Sequence, residues 1–228
     1  MARRCWRGSG PFPRRSGCGG CGERQRRDPI GCLPGRIQGC KGLGFSADAR
    51  TLRRFGLSAY TGPYPPEGFR ILEPMYFSYR QFFIYDPYCE FFALRWSDAH
   101  SRQGFARTRS FVSMSSISNY GWATVLAGVR GFHEYERFDR VIAVPFTVSR
   151  GVVAVLGVEE TGELERFLHL DTGEYKLTVA QAIYDDDSEE VVLAFEPVRE
   201  RVMKSHIIVA DAELDPPDPL VETAEPFR

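Results

Sequence analysis

The feature that most limits the folds open to this chain is a series of short apolar runs between Met75 and Asp211, bounded by turn-forming residues. MYFSYRQFFIYD (75–86), CEFFALRW (89–96), SFVSMSSI (110–117), WATVLAGV (122–129) and RVIAVPFTV (140–148) come first. VVAVLGV (152–158), LERFLHL (164–170), EYKLTVAQAIY (174–184), VVLAFEP (191–197) and SHIIVAD (205–211) complete the series. Val, Ile, Phe and Tyr dominate, side chains that crowd a helical turn and suit a pleated surface. Gly, Pro, Asp or Ser separates the runs at near-regular spacing, and no long amphipathic helical pattern intervenes. The pattern predicts an all-β fold, an antiparallel β-sandwich.

Within it, residues 75–86 read as one roughly alternating strand with one buried face, ended by Asp86-Pro87. Ser149-Arg-Gly151 and Asp171-Thr-Gly173 have the composition of tight turns. Pro145, which cannot donate to a ladder, predicts an edge strand or a bulge. One segment breaks the pattern: Trp96-Ser-Asp-Ala-His-Ser-Arg-Gln-Gly-Phe-Ala-Arg107. Ser97 or Asp98 is placed to cap a short helix through Arg102, with Gly104 as its stop. The tail from Leu214 is proline-rich and acidic and is expected to run over the surface.

Charge divides the chain. Residues 1–56 carry 13 Lys and Arg against Glu23, Asp28 and Asp48, a balance of +10; residues 57–228 carry 16 against 27, a balance of −11. Residues 1–68 are rich in Gly, Arg, Pro and Ser and have too few apolar side chains to offset the entropy of ordering them. They read as a disordered basic arm before a folded domain at 69–228, with one or two helical turns possible at 48–56. Five of the six cysteines lie in the arm. Cys18 and Cys21 have knuckle spacing, but Cys32 and Cys40 are too far apart to form a second knuckle, so composition is preferred over a metal site. The arginines would release counterions from phosphate, yet Trp6 and Phe12 alone offer stacking, which limits the arm to non-specific binding and assigns none to the folded domain.

No apolar run approaches the roughly 18–20 residues of a spanning helix, and no apolar stretch follows the N-terminal arginines as a secretory signal requires. The domain keeps one cysteine, Cys89, so a reducing, cytoplasmic setting is the expectation. His100, His133, His169 and His206 fall in different elements, without metal-ligand spacing. There is no G-x-S-x-G elbow and no P-loop. These features predict a non-enzymatic protein without metal or cofactor.

The acidic run Asp185-Asp-Asp-Ser-Glu-Glu190 lies between two strand candidates and predicts an exposed loop. It lacks the order of a calcium-binding loop. A solvated polar hairpin is one reading; the sharper one is a negative face for a basic partner, formed by Asp185, Asp186, Asp187, Glu189 and Glu190.

Several motifs occur in a fixed order: Tyr76-Phe-Ser-Tyr-Arg-Gln-Phe82, Trp96-Ser-Asp98, Gln103-Gly-Phe-Ala-Arg107, Val144-Pro-Phe146, Thr172-Gly-Glu-Tyr175 and Ile207-Ile-Val-Ala-Asp211. This series, over about residues 72–220, resembles the competence protein J family of DNA-entry nuclease inhibitors. The resemblance implies a non-enzymatic protein that binds a basic nuclease partner in a hetero-oligomer, and it has no counterpart for the basic arm. The matching positions Tyr79, Gln81, Phe82, Trp96, Asp98, Gly104, Phe105, Pro145, Phe146, Gly173 and Tyr175 are expected to be structural, as core, cap or turn. Asp98 and Arg107 have further polar capacity that a local cap or ion pair would use. A second function remains open, a carbohydrate- or small-molecule-binding module using Tyr76, Tyr79, Tyr88 and Trp122 as a concave aromatic face.

Overall fold

The apolar runs form two sheets laid face to face in a computed structural model that describes residues 65–88, 93–158, 166–185, 188–199 and 204–226. The expectations for the basic arm and its cysteines lie outside the described residues, as do Asp186 and Asp187. The first sheet contains β1 (Phe69–Ile71), β2 (Met75–Phe77), β6 (Gly121–Gly128), β7 (Arg140–Val148), β10 (Gly173–Asp185), β11 (Ser188–Pro197) and β12 (His206–Val209). Its order is β1-β6-β11-β10-β7-β12, with β2 pairing with β6 beyond the end of β1. The second sheet contains β3 (Gln81–Tyr85), β4 (Phe105–Arg107), β5 (Phe111–Ser115), β8 (Val152–Gly157) and β9 (Arg166–His169), in the order β4-β5-β3-β8-β9. The six-residue helix α1 (Asp98–Gln103) and a 3-10 turn at Tyr135–Arg137 are the helical elements among the described residues. The chain is an all-β sandwich.

Three details depart from the sequence expectation. Residues 75–86 form two strands, because Tyr79 and Arg80 both adopt left-handed backbone (φ 53° and 56°) and turn the chain from one sheet into the other. The amide of Gln81 closes this turn on the Ser78 carbonyl at 3.3 Å. The pairing of β6 with β11 is parallel, since the β10–β11 hairpin inserts between β6 and β7. Finally, several strands are buried on both faces and therefore do not alternate.

Packing explains the last point. Phe82, Ile84, Phe105 and Met114 of the second sheet meet Phe146, Leu177, Leu193 and Phe195 of the first in the central core. Full burial of each such side chain contributes about 1.5–3 kcal/mol. The outer face of the first sheet is covered by Phe132 and Phe138, which pack on Leu126, Val141 and Val192. The outer face of the second packs Phe83, Tyr85 and Phe111 with Leu94, Trp96 and Ala224. Pro145 occupies a locally open edge: β12 pairs with β7 only at Val141, Ile142 and Ala143.

Candidate functional site

The inner face of the first sheet is apolar along most of its length but ends in three polar residues. Arg140 of β7 and Gln181 of β10 are register partners, and Glu189 of β11 lies two residues beyond Val191, the partner of Gln181 on β11. All three are almost fully buried. Removing such groups from water is costly unless their hydrogen-bonding capacity is met, and here most of it is. Gln181 Nε2 donates to Glu189 Oε1 (2.7 Å) and to the Ser115 carbonyl (3.0 Å). The amides of Ile117 and Ser118 donate to Glu189 Oε2 at 3.2 and 3.3 Å. Arg140 Nε donates to Asp211 Oδ2 (2.8 Å) and Nη1 to the Ser115 hydroxyl and carbonyl (2.8 and 3.0 Å). Gln181 Oε1 is buried without a hydrogen-bond partner.

Glu189 is the perturbed acid of this end. Burial pushes its carboxyl up to about 7, against the opposing pull of the Gln181 amide, the Ser118 amide and the Arg140 charge. Desolvation outweighs the hydrogen bonds because water is excluded from the carboxylate on every side.

Above this layer opens a pocket of about 440 Å³ lined by residues that include Tyr79, Arg80, Gln81, Trp96, Arg140 and Glu213. Arg80 Nη2 donates to the Ile117 carbonyl (2.8 Å) and pairs with Glu213. The Tyr79 side chain stands out at the mouth, 75% exposed. The motifs that lie far apart in sequence around Tyr79, Trp96 and Asp211 thus meet at one end of the sandwich.

The segment 96–107 forms the flank of this end and anchors the C-terminal tail. Ser97 caps α1: its hydroxyl accepts from the His100 amide, and its own amide donates to His100 Nδ1 at 3.1 Å, closing a capping box. Gly104 ends the helix in left-handed backbone (φ 80°). Trp96 Nε1 donates to the Ser113 hydroxyl at 3.2 Å. Gln103, which belongs to the motif but was not singled out from sequence, is fully buried and holds Val221. Arg107 Nη1 donates to the Glu222 carbonyl (2.7 Å) and Nη2 to the Pro145 carbonyl (3.0 Å). The acidic tail therefore follows the surface as a tied strap.

The acidic run divides. Glu189 and Glu190 do not lie on an exposed loop: β11 begins at Ser188 and buries both, Glu189 inside the sandwich and Glu190 on the outer face against Arg137. Register places Asp185 at the end of β10, opposite Ser188. Of the motif positions, Phe82, Phe105 and Phe146 lie in the central core, and Tyr175 donates to the Asp171 carbonyl at 2.7 Å. Gln81 begins β3, Gly173 opens β10, and Asp98 is exposed in the first turn of α1. Tyr76 and Trp122 touch edge to face at 5.3 Å, while Tyr88 lies beyond the far end of β3, over Arg150; these four aromatics do not line one face.

Sequence reasoning passed over Arg140, Gln181, Arg80 and Glu213. A signal existed for two of them: Arg140 and Gln181 fall in phase with the inward residues of otherwise apolar strands. At the opposite end, burial alone would raise the Asp86 carboxyl, but hydrogen bonds from the Ser149 hydroxyl and amide and from the Tyr88 amide hold it below the usual range. Among the described residues, no group of three or more His, Cys, Asp or Glu is placed to hold a metal ion, and no helix is long and apolar enough to cross a membrane.

Fold and site define a class: a two-sheet all-β domain in which the motifs around Tyr79, Trp96 and Asp211 meet at one polar end, while those around Phe146 and Tyr175 pack toward the other. The competence protein J (ComJ) family model matches residues 74–210, and the chain belongs to that family. Among solved structures, ComJ of Bacillus subtilis, described as an inhibitor of the DNA degrading activity of NucA, is similar at 18% identity and a TM-score of 0.49, over 57% of this chain and 98% of its own. The product of crocagin biosynthetic gene J is similar at 11% identity and a TM-score of 0.41, over 57% and 99%. The comparison with curated proteins finds no match.

Proposed function

We propose that this protein is a non-enzymatic inhibitor that binds a nuclease acting in DNA uptake and occludes its basic cleft, in a cytoplasmic hetero-complex. The observation that supports this reading is membership of the competence protein J family over residues 74–210. The B. subtilis ComJ is described as an inhibitor of the DNA degrading activity of NucA, and that is the role proposed for this chain. The balance of −11 over residues 57–228 fits a partner that presents a positive surface for DNA. Asp185, Asp186 and Asp187 remain the first candidates for the acidic contact; Glu189 and Glu190 drop out because their carboxylates face protein.

The test mixes the full chain with the DNA-uptake nuclease of its own organism. The expected result is a stoichiometric complex and loss of DNA degradation, both weakened by salt. Reversing Asp185, Asp186 and Asp187 to Lys is expected to weaken inhibition about tenfold or more. A wild-type chain that forms no complex ends the inhibitor reading. Unchanged inhibition by the reversed variant ends the acidic-loop mechanism alone.

A further inference from the structure

We infer that the partner docks on the end of the sandwich where Tyr79, Tyr120 and Trp122 emerge, and that the surface it presents there is basic; the inference rests on the inhibitor reading above. The first observation is backbone strain. Tyr79 and Arg80 are consecutive non-glycine residues in left-handed conformation, in a turn whose usual occupants are Asn and Gly. Each such residue costs about 1–2 kcal/mol, and the conformation persists where the surroundings impose it. Here they do: the Arg80 amide donates to the Asn119 carbonyl (3.3 Å), the Ser116 amide donates to the Arg80 carbonyl (3.0 Å), and the Arg80 side chain is held by Ile117 and Glu213. Nothing in the fold requires an aromatic at Tyr79, whose side chain is directed out of the strained turn and is 75% exposed.

The second observation is company. Tyr120 and Trp122 are 59% and 51% exposed. Both adjoin Gly121, the register partner of Phe77, so all three exposed aromatics sit within two residues of one strand pairing. Tyr and Trp held on rigid elements are characteristic anchors of protein interfaces, since little side-chain entropy is lost when they are covered.

Charge selects the occupant. Glu213, with its side chain 53% exposed, flanks Tyr79 through Arg80. On the other side, Tyr76 and Trp122 are register partners on β2 and β6, and their rings touch edge to face. Exposed rings beside the Glu213 carboxylate, on a domain whose residues 57–228 carry a balance of −11, suit guanidinium groups, which stack on the rings and pair with acids. The aromatics sit on turn tips and strand ends, so they present an outward surface for a protein rather than an enclosing wall for a sugar.

Binding of the full chain to the nuclease is measured by titration calorimetry, beside thermal unfolding, for the wild type, Tyr79→Gly, Trp122→Ala and Phe167→Ala, an exposed aromatic on the edge strand β9. Tyr79→Gly relieves the left-handed strain, so it is expected to unfold at the same or a higher temperature while binding about tenfold or more weakly. Trp122→Ala is expected to bind about tenfold or more weakly, and Phe167→Ala within about twofold. A wild type that binds while both Tyr79→Gly and Trp122→Ala bind within about twofold of it overturns this placement and leaves the inhibitor reading intact. A wild type that forms no complex overturns both.

Discussion

Gln103 grips the backbone of Val221 with both ends of its side-chain amide. Nε2 donates to the Val221 carbonyl and the Val221 amide donates to Oε1, each at 2.9 Å, across 118 residues of sequence. Nε2 also donates to the Phe105 carbonyl at 3.0 Å, so the one side chain ends α1, starts β4 and fixes the tail. Gln103→Ala leaves buried backbone groups without partners, at about 1–3 kcal/mol each. The expected loss is about 3 kcal/mol in urea unfolding, with earlier proteolysis of the tail after residue 214. A stability within 0.5 kcal/mol of wild type would mean that the strap is held elsewhere.

Glu189 makes stability depend on pH. Its folded value, about 7, lies above the ordinary 4.5, so at pH 4 both folded and unfolded states hold the proton and there is no penalty. As pH rises from 4.5 to 7 the unfolded state ionises first and stability falls; above about 7 the loss is complete. Its size is on the order of 3 kcal/mol. Denaturant midpoints measured from pH 5 to pH 8 should fall in the wild type and fall less in Glu189→Gln.

Arg140 and Asp211 form the pair at the foot of the pocket, with Arg140 Nη2 at 2.5 Å from Asp211 Oδ2. Removing one partner strands a buried charge, while removing both removes the need for pairing. Asp211→Ala is expected to lose about 3 kcal/mol, and the double variant Asp211→Ala with Arg140→Met less than Asp211→Ala alone. A double-mutant cycle by chemical unfolding reads the difference.

Gly104 is held at φ 80°, and a Cβ built there would lie 2.9 Å from a Leu214 methyl and 3.2 Å from the Ser115 hydroxyl. Gly104→Ala combines left-handed strain with this crowding and is expected to lose about 1–3 kcal/mol. Shortening the neighbour in Gly104→Ala/Leu214→Ala should not recover the whole loss, since the backbone term stays.

Much of the local structure was legible before any coordinates. The order of β-branched and aromatic runs announced the strands, and Ser97 and Gly104 announced where a helix begins and ends, because caps and turns are decided by a few adjacent atoms. The acidic run was misread in part for the same reason. Glu189 and Glu190 carry charge, and nothing in their neighbours along the chain tells that Gln181, Ile117, Ser118 and Arg137 will meet them.

The sequence by itself determined the class of fold, the family and the position of the short capped helix, since each depends on residue type and spacing. The tertiary structure alone decided that residues 75–86 break at Tyr79 into two sheets, that Arg140, Gln181 and Glu189 gather in one buried layer, and that Gln103 ties down Val221. These are contacts between segments brought together by burying apolar surface, a force without direction or sequence address. Which polar groups it traps together is settled only when the two sheets close.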